Sequence, residues 1–477
     1  MKIKFLLSMI LLLFFYCAFA QKQGNIWYFG DHAGLDFNSG APVPLTDGQT
    51  FFYLPMYGWN EGTSSICDSA GELLFYTNGE KIWNKLQIVM PHGDSLMGFW
   101  SSTESCVIVP LPGSEHLFYV FTTDGSEHSF LNGLRYSIVD MCLDNGYGDV
   151  VEGAKNILLE DSVAERLIAI KNSNETDYWI LTHRFNSDAY YSFRFTSSGI
   201  EDTIISHVGT IDTQGWGGQM ISSPDGQKLT YVIPNAQLTV GITQLLDFDA
   251  TTGIVSNPIT LSFGGREYGC AFSLDNSKLY FSTVGFGQIF QYDVSSGDSA
   301  TIVNSKFFIL QNGPDSWRDQ RLAPDGKIYL ARVGKGYLSA INNPNESGAT
   351  CNYIDSAVYL GGKKSSFGLP NFVTNYDYEN TIVSCQTGIE QLASSKNVFS
   401  ITPNPFQFST TFSFNQDLKQ GTLFIYDLLG KQKLKIENLN GMEFRLDSKN
   451  LSAGIYFFEI FENEQLKFYG KLIAQPK

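Results

Sequence analysis

The sequence is poor in the residues on which most recognisable catalytic motifs depend. Its 477 residues include six histidines (His32, His92, His116, His128, His183 and His207), none in an HExxH or an i, i+4 pair. That removes the helical zinc-protease arrangement. No GxSxG elbow and no phosphate-binding P-loop occurs, so neither an elbow nucleophile nor a nucleotide cradle has a foothold. The seven cysteines form no CxxC and no Cys/His cluster with metal-ligand spacing, so no metal or cofactor is expected. Cations are scarce as well, with 32 Lys and Arg against 48 Asp and Glu. A surface of that sign repels phosphate backbones, which sets nucleic acid aside as a partner. Long apolar runs are absent after the first twenty residues, and no long stretch has a helical period, so a membrane-spanning helix is not expected.

What is plentiful is aromatic and turn-forming: 37 Phe, 24 Tyr, 7 Trp and 45 Gly. Many short strands joined by many turns use residues in this way, and the expected class is all-β. Residues 1–20 read as a secretory signal. Lys2 and Lys4 give the positive start, residues 5–15 the apolar run, and Ala18-Phe19-Ala20 the cleavage site. The apolar run is shorter than the roughly 20 residues a bilayer requires. The formal charge of −16 becomes −18 without Lys2 and Lys4. The ten cations and eight acids from Lys396 onward add +2 to the tail, leaving about −20 on the body. In an oxidising compartment some of the six remaining cysteines pair, and Cys351 with Cys385 is the expected bridge.

A repeat organises the body. The stretch GREYGCAFSLDNSKLYFSTVGFGQIFQYDVSSG, residues 265–297, reads as three strands around Cys270, Tyr280 and Phe290. The turn residues Asp225, Asp275 and Asp325 recur fifty residues apart, each between two strands, and looser copies follow Asp68, Pro112 and Asn174. Their carboxylates are expected to bond nearby backbone amides. That makes six copies. The ends supply a seventh: WYFG and GLDFNSG (Trp27 to Gly40) lack a first strand, and FGLPNF (Phe367 to Phe372) is a first strand with nothing after it. A period of 40–50 residues with several strands per repeat indicates a β-propeller, here of seven blades closed by strand exchange between the ends of the body. Six or eight blades, or a pair of sandwiches, are the alternatives. The domains are therefore read as 21–378 for the propeller, 379–397 for a linker, and 398–477 for a small antiparallel β-sandwich. Strands in the last are expected at 408–414, 422–427, 442–446, 454–461 and 468–474.

The tail carries Pro403-Asn404-Pro405 and then IYDLLGK, with Tyr426, Asp427, Gly430 and Lys431. LSAGIYF follows, with Gly454 and Tyr456, and a last strand holds Lys471. In this order at the C-terminus these motifs resemble the type A sorting domain of the type IX (Por) secretion system of Bacteroidetes. The resemblance implies the secretion translocon and a sortase-like protease as partners. It also implies passage through the periplasm to the outer cell surface or the medium. Gly430 and Gly454 are expected to supply turn conformations, and Pro403 and Pro405 an extended entry. The body resembles YVTN/WD40-like propellers of Bacteroidetes surface proteins through WYFG, GLDFNSG, LLFYTNG, the SPDG-type turns and FGLPNF. That likeness speaks to fold and not to a reaction. Six tripeptides, among them Asp94-Ser95-Leu96 and Asp161-Ser162-Val163, fit a short O-glycosylation pattern of the same phylum.

Candidate ligand contacts are residues placed just before first strands, where a propeller's funnel rim lies: Glu61, Glu104, Glu165 and Glu267, with Arg266, Arg318 and Arg321 nearby. Trp59, Trp100, Trp216 and Trp317 occupy similar points, suited to stacking on sugars or peptides. Paired channel carboxylates are also what a propeller glycosidase uses, although inner-edge charges more often bind water or cap the funnel. The expected function is binding of a surface protein or glycan, with an extracellular propeller hydrolase or lactonase as the alternative.

Overall fold

The computed structural model describes residues 21–51, 60–233, 241–311, 313, 317–378, 383–385, 399–427, 431–447, 449, 451–463 and 465–475. The signal reading at 1–20, Trp59, Gly430 and most of 379–397 fall outside these. Two compact units divide the chain, Met1–Cys385 and Gln386–Lys477.

Among the described residues, the first unit holds seven antiparallel sheets in chain order. These are blades of a propeller, numbered here 1 to 7. Their innermost strands from blade 2 onward are Ser64–Cys67, Cys106–Pro110, Ile168–Lys171, Met220–Ser222, Glu267–Phe272 and Trp317–Leu322. Most of their residues are buried on both faces, as strands packed between neighbouring blades must be. Blades 4 to 7 have four strands each. Blade 6 adds a fourth strand, Phe307–Leu310, after the short helix Ser299–Asn304. The three-strand unit did not show this strand, because no turn signal of the repeat introduces it.

The turn aspartates act as expected. The Asp225, Asp275 and Asp325 carboxylates accept from the amides of Gln227 at 3.1 Å, Ser277 at 3.1 Å and Lys327 at 3.2 Å. Turns of successive blades are also linked, since Asp225 N–H donates to Asn276 Oδ1 at 3.0 Å.

Blade 1 consists of Ile26–Phe29, Ala33–Asp36 and Val43–Leu45 and lacks an inner strand of its own. The two ends of the body meet there. Asp31 bridges Lys364, Phe367 N–H donates to the Asn60 carbonyl at 3.3 Å, and Asp319 N–H donates to the Phe367 carbonyl at 3.1 Å. The closing segment thus lies between the inner strands of blades 7 and 2. Its pairing differs from a regular exchanged ladder, being made of isolated bridges: Asp31–Lys364, then Thr63–Pro370 and Ala169–Val373 in parallel. Pro370 removes one donor and restricts the residue before it, which breaks a ladder at that point. The Trp27 indole, fully buried, packs on Phe37, Phe372 and Tyr329 at centroid distances of 4.9, 5.9 and 6.2 Å.

The expected Cys351–Cys385 bridge is not made. Cys385 pairs with Cys142, at a Cα–Cα distance of 5.1 Å, and Cys351 is a buried thiol. Sequence spacing carries no information about which loop of a ring a terminal cysteine reaches. Trp317 is likewise a core residue, 0% exposed, whereas Trp100 and Trp216 are half-buried.

In the second unit the strands are longer than their patterns indicated. The expected strands at 408–414 and 422–427 are parts of one strand, Ser409–Tyr426, which bends through register shifts between Ser413 and Leu423. It pairs with Phe399–Thr402, Gln432–Asp447 and Gly454–Glu462, and the last pairs with Gln465–Ala474. Phe412, Leu423, Ile425, Phe458, Ile460 and Leu472 form its buried core. Asn404 pins the entry to the final strand: its amide donates to the Lys471 carbonyl at 2.8 Å, and its Oδ1 accepts from Ile473 N–H at 2.9 Å. The peptides before Pro403 and Pro405 are cis, in place of a simple extended entry. Lys431 N–H donates to Asp427 Oδ1 at 3.0 Å, joining two residues of the IYDLLGK motif. Gly454 does not supply a left-handed turn conformation; it opens a strand, with only the Tyr456 ring near a Cβ placed there.

Candidate functional site at the propeller axis

Seven-fold repetition brings the starts of the inner strands to one line. Blades that are not neighbours touch there, which only an axis allows. Tyr268 of blade 6 donates to Glu61 Oε2, beside blade 2, at 2.5 Å. Gln219, preceding the inner strand of blade 5, donates to Glu104 Oε1 of blade 3 at 3.2 Å and to Asp319 Oδ1 of blade 7. Arg321 of blade 7 reaches Glu104 Oε1 at 3.5 Å and Asp319 Oδ2 at 3.4 Å. The closing segment joins the same cluster, because Leu369 N–H donates to Asp319 Oδ2 at 2.7 Å and the Asn371 amide donates to the Leu167 carbonyl at 2.7 Å. Glu165 receives Thr103 Oγ1 at 3.0 Å and Ser126 N–H at 2.9 Å. The Arg318 guanidinium lies over the Phe367 ring at 4.4 Å and the Tyr268 ring at 5.5 Å.

Five of the seven residues expected at the rim, Glu61, Glu104, Glu165, Arg318 and Arg321, are therefore gathered by the fold. Glu267 and Arg266 are placed apart. Glu267 accepts from Ser262 Oγ at 2.8 Å, and the Arg266 guanidinium stacks on Phe286 at 4.6 Å. Alternation explains the exception: Glu267 and Tyr268 are adjacent in one strand, so when Tyr268 faces the axis Glu267 points to the opposite side. Gln219, Tyr268, Asp319 and Asn371 were missed. Gln219, Tyr268 and Asn371 are uncharged, so only their position in the repeat marks them; Asp319 is charged and stands between the nominated Arg318 and Arg321.

Burial decides the electrostatics. Glu104 is 1% exposed and its carboxyl is pushed up to about 7 by loss of hydration, an effect that Arg321 partly offsets. Burial also raises Glu61, with Glu165 adding repulsion, and it raises Glu165 and Asp319. For Arg321 burial acts downward, but Asp319 and Glu104 outweigh it and the guanidinium is held above its ordinary range. The arrangement can fix several charges in place and tie opposite blades together. Glu61, Glu165 and Asp319 accept from protein donors, whereas Glu104 Oε2 is buried without one; beside them Trp100, Trp216, Arg318, Arg321 and Phe367 are partly exposed.

One of the six histidines is buried in the core. His183 is fully buried against Tyr190 and Tyr231, and burial lowers its imidazole to about 4. Each of the other five lies within 4 Å of an aspartate oxygen.

Residues 400–475 match the secretion system C-terminal sorting domain. The chain therefore carries a sorting tail, which marks it for secretion or display at the cell surface. No curated protein matches the chain. Among solved structures it is similar to PorZ, a surface component of the type-IX secretion system of Porphyromonas gingivalis. Identity is 13%, the TM-score is 0.36, and the alignment covers 93% of this chain and 62% of that one. The chain thus spans somewhat less than two thirds of PorZ. It is also similar to the Dos1 propeller (11% identity, TM-score 0.41, 74% and 95% covered). A third likeness is to hydrazine synthase of Kuenenia stuttgartiensis (10% identity, TM-score 0.39, 69% and 93% covered). Among the described residues no helix is long and apolar enough to cross a membrane.

Proposed function

We propose that this chain is an exported interaction protein. Its propeller binds a surface protein or glycan at the mouth of its axis, and the type IX translocon recognises its tail, which a sortase-like protease then removes. The observation that carries this reading is the sorting-domain match over residues 400–475. It is supported by Asn404, Asp427 and Tyr456, which hold the entry, middle turn and late strand of that domain through their own hydrogen bonds. Binding is favoured over hydrolysis because the axial carboxylates are buried, whereas a glycosidase acid and base must face the scissile bond. The proposed contacts are Trp100, Trp216, Arg318 and Phe367, with Glu61, Glu104, Glu165 and Arg321 as their support. Glu267 and Arg266, bonded to Ser262 and stacked on Phe286, are not among the proposed contacts.

Removing residues 396–477 is expected to leave the propeller inside the cell envelope, measured by fractionating cells and medium; undiminished export would defeat the proposal. For ligand binding, Trp100→Ala with Trp216→Ala should abolish capture of a surface component by the exported protein. Turnover of a glycan or lactone panel that disappears in Glu104→Gln would instead favour the hydrolase. The O-glycosylation reading is supported by exposure of Ser95, Ser162, Thr203, Ser299 and Ser356, with Ser69 half-buried. An intact mass above that of the bare polypeptide is the expected result.

A further inference from the structure

Three residues at the disulfide, His116, Asp140 and Cys142, make a second chemical site. His116 sits before the strand Leu117–Thr123, and Asp140 ends the neighbouring strand Leu134–Asp140, two residues before Cys142. Strand pairing brings them together: Leu117 is opposite Asp140, and Met141 N–H donates to the His116 carbonyl at 2.9 Å. Asp140 Oδ1 accepts from Cys142 N–H at 2.8 Å and lies 2.9 Å from His116 Nδ1. One nitrogen, one carboxylate oxygen and the Cys142 sulfur all lie within 4.8 Å of one another. All three residues are half-buried, so the site is reachable from solvent while still partly enclosed.

A nitrogen, an oxygen and a sulfur are the donor set of a tetrahedral zinc site with one open position. With metal–ligand distances of about 2.0–2.3 Å, the donors of such a site stand roughly 3.4–3.6 Å apart. The strand pairing already holds all three donors within 4.8 Å of one another. The sulfur, however, is shared. In the structure it is bonded to Cys385, and a disulfide sulfur has no thiolate to offer a metal.

We propose that Cys142 has two alternative partners: Cys385 in the oxidised chain, and a divalent zinc-class cation held with His116 and Asp140 in the reduced chain. The exchange balances with a dithiol as reductant. Its two thiols become one disulfide, the Cys142–Cys385 bond is replaced by two thiols, and Cys142 gives up its proton as the metal–sulfur bond forms. Reduction also releases Cys385, the residue at which the first compact unit ends, so the choice of partner decides whether that end is fastened to blade 3.

The test uses the full chain and cobalt(II) as a spectroscopic substitute for zinc. The reduced protein, held without oxygen, is expected to bind one equivalent with a sulfur-to-cobalt charge-transfer band that zinc displaces, and the oxidised protein is expected to show none. Cys385→Ser, which leaves Cys142 as a thiol without any reductant, should show the same band. His116→Ala in that background should weaken binding more than tenfold, and adding Cys142→Ser should remove the band. The proposal is overturned if the reduced chain and Cys385→Ser both lack the band, or if the band survives loss of Cys142 or is indifferent to His116. Circular dichroism of Cys385→Ser that matches the parent establishes that a missing band is not a missing fold.

Discussion

Replacing Gly368 by alanine is expected to open the ring. A Cβ at this position would stand 1.7 Å from the Glu61 carbonyl oxygen, a backbone atom that cannot swing aside. Gly368 belongs to the segment threaded between blades 7 and 2, so relief of the clash must displace either that segment or the approach to blade 2. Displacing the segment would strip Asp319 of the Leu369 amide, and displacing Glu61 would break its bond to Tyr268. Overpacking a close-packed interior costs about 1–3 kcal/mol before such losses, and an unpaired buried carboxylate adds a further penalty of about 1–3 kcal/mol or more. Gly368→Ala should therefore lower stability by at least about 2 kcal/mol, read as a shift in the denaturant midpoint of the propeller. Gly269→Ala should behave alike, since its Cβ would meet the Arg318 carbonyl oxygen at 1.8 Å. Gly113→Ala is the contrast: φ is +75° but nothing lies within 4 Å, and only the left-handed penalty of about 1 kcal/mol is expected. Equal midpoints for Gly368→Ala and Gly113→Ala would contradict the closure described above.

The second large effect is a stability that falls as pH rises through the weakly acidic range. Glu104 in the folded chain titrates at about 7, above the value of about 4.3 in an unfolded chain. Between those values the native state holds a proton that the unfolded state has released, so the slope of stability against pH is negative. The contribution is complete below about pH 4.5 and lost by about pH 7. Glu61, Glu165 and Asp319 shift in the same direction. Aspartates bonded at the surface, such as Asp247 and Asp275, shift downward, so their stabilisation is lost only under acid, below about pH 4. The propeller is thus expected to melt at a higher temperature at pH 5.5 than at pH 8. Glu104→Gln keeps an acceptor for Gln219 but removes the charge. It should flatten this slope and gain on the order of 2 kcal/mol at pH 8 relative to the parent. His183, held low by burial, contributes a slope of opposite sign below about pH 6.5, so the variant carries the test: a slope unchanged or steeper in Glu104→Gln would show that the axial carboxylates are not the source. Arg321→Gln should have the opposite sign, costing about 3–5 kcal/mol at pH 8, because two buried carboxylates lose their cation.

Much of this architecture was legible in the order of residues. The strands around Cys270, Tyr280 and Phe290 and the aspartate turns at fifty-residue intervals follow local rules: apolar residues that suit a pleated strand, and carboxylates that bond their own turn. A repeat then multiplies a local rule into a ring. The sorting motifs were legible for a similar reason, since Asn404, Asp427 and Tyr456 make bonds that serve one small domain. Glu61, Glu104, Glu165, Arg318 and Arg321 could be nominated because the repeat fixes where an inner strand begins.

Other features depend on distances that no local rule sets. The partner of Cys385 is Cys142, 243 residues away, and only the folded ring decides which loop lies beside the end of the body. The cluster of His116, Asp140 and Cys142 exists because two strands pair in one register. The choice of Tyr268 over Glu267 for the axis follows from which face of one strand turns inward. The pairing of Glu104 with Arg321 and Gln219 requires blades 3, 5 and 7 to converge. Sequence by itself determined the repeating sheet and the tail, because hydrophobic alternation and turn chemistry act between near neighbours. The tertiary structure alone decided which buried charges share an axis, because desolvation and Coulomb attraction depend on where closure places groups hundreds of residues apart.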